Sequence, residues 1–184
     1  MRRSRAEAAA TRAAAVEAAA RLFRGRGVDA VGLKDVMAAL GMTHGGFYRH
    51  FESKDALVAE SLAAASDDSA GALAVAAASA PGAVLDAIIE QYLSPEHVAH
   101  PELGCPVAAL ASEIRREGRP ARTIFTRAVE RTAGLLAEAA RGRVRALFTL
   151  AALVGGVALA RAVTDRKLAA EILSAVRDAL KESH

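Results

Sequence analysis

LKDVMAALGMTHGGFYRHFESK, residues 33–54, is the stretch that decides the fold of this 184-residue chain. Leu33, Val36, Met37 and Leu40 recur at i, i+3, i+4 and i+7, one face of a helix. Gly41 follows, able to take the left-handed conformation that ends a helix. Met42 is the apolar residue that locks the turn into the core. Thr43 is an N-cap, its hydroxyl placed to accept an orphan backbone N–H. His44, Gly45 and Gly46 open a second, very short helix. Two glycines there cost roughly 1 kcal/mol each against Ala, which close approach of the backbone to a partner would explain. Phe47 and Phe51, four apart, anchor this helix inward. Tyr48, Arg49 and His50 are left facing outward, each able to donate hydrogen bonds to phosphate or base edges. Ser53 caps the next helix, and Lys54 with that helix's N-terminal dipole adds a phosphate site. A helix, a Gly turn and a short polar helix form the layout of a helix-turn-helix, whose second helix enters the DNA major groove.

Charge is distributed to match. Residues 1–56 hold ten Lys and Arg against six Asp and Glu, or +4, while residues 57–184 hold fourteen against fifteen, or −1. The positive surplus lies with the DNA-reading end, where an electrostatic footprint belongs. Arg2, Arg3 and Arg5 form a basic arm suited to phosphate or a minor groove; a solvated, frayed terminus is the alternative.

The composition, rich in Ala, Leu and Arg with only five Pro, favours helix throughout. The expected architecture is all-α, about nine helices in two domains. Residues 1–54 form an N-terminal three-helix DNA-binding domain, and residues 55–184 a helical ligand-binding and dimerisation domain. A long linking helix is expected over 55–79, broken by Pro81 and Gly82. Further helices are expected over 83–93, 106–117, 120–141, 143–163 and 166–181, with a loop over 94–104. Glu7, Arg12, Glu17 and Arg21 interrupt any signal-like apolar region. The longest uncharged apolar run, 146–160, is short for a bilayer, and a single cysteine leaves no internal disulfide framework. A soluble cytoplasmic protein is the expectation.

The helix expected over 143–163 is apolar nearly all round and must be buried. A partner chain is the natural cover, with Gly155 and Gly156 letting another helix come close. A homodimer is expected through a four-helix bundle of 143–163 and 166–181, its interface including Leu153, Gly155, Gly156, Leu159, Ile172 and Val176. A central core helix in a monomer is the other reading.

The stretch 41–57, with AVEAAARLFRGRG at 15–27 and the helix over 33–40, resembles the DNA-binding domain of TetR-family transcriptional regulators. This covers about a third of the chain; GCPVAALASEI at 104–114 and AALVGGVALARAVTDRKLAAEIL near the end resemble C-terminal segments of some members. The resemblance implies a homodimer that binds a palindromic operator and releases it on binding a small molecule. It places Thr43, Tyr48 and Lys54 at phosphate-contacting positions, and His44, Gly45 and Gly46 at the base-facing start of the recognition helix. Arg49 and His50 fall at positions that reach backbone or base edges. Where many members carry Thr or Ser, this chain has Gly32 and Leu33, leaving Gly32 as a weaker cap.

An apolar pocket for a small organic effector is expected in the second domain, with Tyr92, Cys105, Phe125 and Phe148 as candidate lining; an ordinary helical core is the competing reading. Cys105, between Gly104 and Pro106, reads either as an activated thiol at a helix start or as a small buried hydrophobe. His97, His100 and Cys105 share a loop with Glu96 and Glu102, but their spacing is not a recognised zinc pattern, so no metal and no cofactor is expected. No G-x-S-x-G, phosphate-binding Gly loop or H-E-x-x-H is present, and no enzymatic activity is expected. The function expected is a DNA-binding regulator, a repressor released by a small apolar ligand. The alternative is a dimeric small-molecule or thiol-based sensor without sequence-specific DNA readout.

Overall fold

A computed structural model describes residues 5–182. Helix α1 (Arg5–Arg26) reaches well upstream of residue 15, because its first three turns are rich in Ala, the strongest helix former. Arg5 is its first residue; Arg2 and Arg3 of the expected arm lie outside the described residues. Gly27, at φ 88°, turns the chain out of α1. Helix α2 (Leu33–Leu40) ends at Gly41, which adopts the left-handed conformation at φ 59°. Helix α3 is the four residues His44–Phe47, and α4 (Lys54–Ser79) is the long link to the second half.

The first core gathers Ala15, Ala19 and Phe23 of α1, Val28, Val31, Val36, Phe47, Phe51, and the first turns of α4 through Leu57, Val58 and Leu62. The first turns of α4, beyond the boundary expected after residue 54, thus pack in this core. Leu110, Ile114 and Ala121, from the second half of the sequence, complete it.

The second half comprises α5 (Val84–Tyr92), α6 (Pro95–Ala99), α7 (Pro106–Leu110), a 3-10 turn (Ile114–Arg116), α8 (Arg119–Ala139), α9 (Arg143–Ala162) and α10 (Arg166–Glu182). All regular structure among the described residues is helical. Two segments differ from expectation. The loop read at 94–104 contains α6, because Ser94 Oγ accepts the His97 N–H at 3.1 Å and Pro95 pre-sets the first turn. The helix read at 106–117 breaks after Leu110; the bend carries Ile114 into the first core and Glu113 to the backbone of Val28. Arg141 at φ 57° and Gly142 at φ 129° turn α8 into α9.

Helix α9 is the one helix among the described residues long and apolar enough to cross a membrane. It carries a core face, however: Ala146, Leu150, Leu153, Val157 and Ala160 are buried among Leu93, Leu136 and Leu173. Its open face holds Val144, Leu147, Phe148 and Leu159.

Candidate functional site

The helix-turn-helix face is built by three local devices. Thr43 Oγ1 accepts the Gly46 N–H at 3.2 Å, capping α3. Ser53 Oγ accepts the Ala56 N–H at 3.0 Å, capping α4. Phe47 and Phe51 are buried with ring centroids 5.3 Å apart, which fixes the roll of α3. Thr43, His44, Gly45, Tyr48 and Arg49 are consequently exposed, with His50 and Gly46 half-buried beside them. The Tyr48 ring packs edge-on to His44 at 5.1 Å. A Cβ on Gly45 would meet nothing within 4 Å, so that backbone is open to a close neighbour. Lys54 is less free than its sequence position suggests: Nζ donates to the Val28 carbonyl at 2.8 Å.

Two further residues, Asp35 and Arg12, position this surface. Asp35 Oδ2 accepts the Gly32 N–H at 2.8 Å, so Gly32 gains from the third helical residue part of what a side-chain cap would supply. Arg12 of α1 donates to the His50 carbonyl at 3.2 Å, pairs with Glu60 at 2.5 Å and lies 4.9 Å over the Phe51 ring. That triple contact holds the end of α3 against α1 and α4.

A cavity of about 230 Å³ opens in the second half, lined by Tyr92, His97, Gly104 and Cys105 on its inner wall, with Asp68, Ser69, Gln91, Glu96 and His100 among its polar rim. Of the expected pocket residues, the structure brings Tyr92 and Cys105 together here. Phe125 is not in this lining; it packs against both cores. Phe148 is 61% exposed on α9, outside the cavity.

The inner wall is held by a chain of hydrogen bonds. His97 Nδ1 lies 2.5 Å from the Tyr92 carbonyl, and His97 Nε2 accepts the Cys105 N–H at 2.9 Å. Those two partners assign the ring proton to Nδ1 and engage both nitrogens, so His97 offers no free nitrogen to a metal. Burial pushes the His97 pKa down; the bond to Tyr92 opposes this, and nearby Arg161 reinforces it. Arg161 donates to the carbonyls of His97 and Val98. Arg24 of α1, itself buried, donates to the Gly104 carbonyl at 2.9 Å. The cavity wall is thereby tied directly to α1. The Tyr92 hydroxyl is buried beside Cys105, and burial first, then the neighbouring thiol, pushes its pKa well above the usual phenol value. Cys105 is buried, starting a helix of only five residues.

The interface candidates separate by face. Leu153 is fully buried, and a Cβ on Gly156 would meet Val176 at 3.2 Å, so Leu153, Gly156 and Val176 are engaged within the chain itself. Gly155 has open space in front of it, Leu159 is 57% exposed, and Ile172 is half-buried. With Val144 and Phe148, 85% and 61% exposed, they mark the apolar surface that the chain leaves uncovered.

Residues 15–61 match the model of the family described as bacterial regulatory proteins, tetR family. A 58-residue stretch is 45% identical to the HTH-type transcriptional regulator TtgR of Pseudomonas putida; it covers 32% of this chain and 28% of that regulator. The match thus spans less than a third of that regulator's length. Over nearly the whole chain the fold is similar to that of E. coli NemR in its reduced form, with TM-score 0.80 at 19% identity, covering 94% of this chain and 95% of that one. It is similar also to a TetR transcriptional regulator from Chloroflexus aurantiacus, with TM-score 0.79 at 22% identity, covering 95% and 96%.

Proposed function

We propose that this chain, whose residues 15–61 match the tetR family model, is a DNA-binding transcriptional regulator that works as a homodimer and yields its operator to a small molecule. The observation that carries this reading is the exposed, doubly capped surface of Thr43, His44, Gly45, Tyr48 and Arg49 on buried Phe47 and Phe51. Phosphate contacts are assigned to Thr43, Tyr48 and Lys54, base contacts to His44, Gly45 and Gly46, and either kind to Arg49 and His50. A short helix presenting its first turn to the groove suits such a division, because N-terminal residues of a recognition helix reach base edges.

Two copies would meet through the open face of α9 and the adjoining part of α10, where Gly155, Leu159, Val144 and Phe148 await cover. A two-fold dimer then presents two recognition helices to the halves of a palindrome. The effector would occupy the cavity of Tyr92 and Cys105. Its wall is bonded to α1 through Arg24 and Gly104, so a ligand there acts on the DNA-binding half directly as well as through α4. The cytoplasm is the compartment this activity requires.

Competition binding tests the proposal. A sequence-reading regulator holds its selected site about 10³–10⁷ times more tightly than random duplex at physiological salt. It does so with two protomers per site. Equal affinity for selected and random duplex would instead support the reading as a small-molecule sensor without sequence readout.

A further inference from the structure

The two halves of the chain grip one short loop between them. Gly27 has φ 88°, and the Glu113 side chain fills the space before it: a Cβ there would stand 2.7 Å from Glu113 Oε1. Glu113 Oε2 accepts the Val28 N–H at 2.7 Å and the Asp29 N–H at 3.4 Å. Arg116, in the 3-10 turn, donates to Asp29 Oδ2 at 2.9 and 3.1 Å. From the other side, Lys54 Nζ donates to the Val28 carbonyl at 2.8 Å. Val28 itself is buried. Its N–H is therefore held by a carboxylate from the second half, and its carbonyl by the ammonium at the start of α4.

We propose that Glu113 is a positioning residue for DNA binding: by fixing Val28 it holds the Lys54 ammonium at the N-terminus of α4, the position assigned above to a phosphate contact. The inference rests on the DNA-binding reading of the first domain. A charged acceptor on a backbone N–H is among the stronger hydrogen bonds, so Glu113 anchors Val28 firmly. Lys54 has three donors; one is engaged by Val28, which orders the side chain and leaves two for phosphate. Without the anchor, the flexible four-carbon stem loses that ordering and turns to solvent, and its phosphate contact is lost. Glu113 also lies on the segment that runs from Cys105 in the cavity wall through α7. Effector cavity and phosphate ligand are thus joined by one short piece of chain.

The test measures binding to a random-sequence duplex at about 50 mM salt, its salt dependence, and thermal unfolding of each variant. Random sequence suffices because phosphate contacts carry no sequence information. Glu113→Ala is expected to weaken binding on the order of five- to tenfold and to lower the salt slope by about one, as Lys54→Ala does. The double variant is expected to bind no worse than Lys54→Ala alone, since interacting sites fail additivity. Glu113→Gln, keeping an acceptor oxygen, folds where the alanine is impaired and falls between. Additive losses, or a lowered melting temperature with an unchanged salt slope, would overturn the assignment while leaving the function reading intact. A wild-type chain that binds no DNA would overturn both.

Discussion

Removing the Phe148 ring should weaken the proposed dimer while leaving the chain folded. Phe148 leaves 61% of its surface open on α9. A Phe side chain presents about 200 Å², so roughly 120 Å² per copy is available to a partner. At about 25 cal/mol per Å² that is about 3 kcal/mol per copy, doubled by two-fold symmetry. Association does not convert all buried area into affinity. Retaining about half gives roughly 3 kcal/mol, a rise in the dimer dissociation constant on the order of a hundredfold. Leu153→Ala is the control on the opposite face of the same helix. Leu153 is fully buried in its own protomer, so truncation costs about 2–5 kcal/mol of folding stability and little of the dimer contact. Sedimentation equilibrium over a concentration series, with circular-dichroism melts at one fixed concentration, separates the two effects. A Phe148→Ala dimer as tight as wild type would refute the assignment of this face, as would a wild-type chain that sediments as a monomer at micromolar concentration.

Other consequences are local. His97 is held neutral in the fold, its pKa lowered first by burial, so the stability tied to it is present above the unfolded histidine value of about 6.5 and is lost as pH falls through the lower folded value. Melts between pH 7 and pH 5, roughly the range where histidine titrates, should show falling stability in wild type and a flatter profile in His97→Gln. Thr43→Ala removes the cap of α3 and should cost about 1 kcal/mol, read by thermal melts. His44→Ala should change which bases are enriched in a selection experiment, whereas Tyr48→Phe should weaken all sequences alike; an unchanged preference in His44→Ala would remove that residue from the base-reading set. Gly27→Ala and Gly41→Ala both place Ala at positive φ, but only Gly27 faces a side chain, Glu113. Gly41→Ala should cost about 1 kcal/mol and Gly27→Ala distinctly more, a ranking that urea titrations would check.

What was legible in the sequence was what is local. Gly41, Thr43, Ser53, Phe47 and Phe51 act as read, because a turn, two caps and an i,i+4 pair depend on neighbours within a few residues. What was not legible depends on distant partners. Glu113 reaches Val28 across 85 positions, and Arg24 reaches Gly104 across 80; neither residue type nor spacing announces such contacts. The same limit split the uniformly apolar α9. Its periodicity could not say that Leu153 and Gly156 face α10 and the core while Gly155 and Phe148 face outward. His97 stood in the sequence as one of two loop histidines, and only its two hydrogen bonds give it a structural role.

Sequence-specific binding by a dimer is tested most directly by selection of genomic fragments with the purified chain at about 0.15 M salt. Enrichment of an inverted repeat, its halves about one helical turn apart or slightly more, is the predicted result. A folded, dimeric chain that enriches no sequence would contradict it.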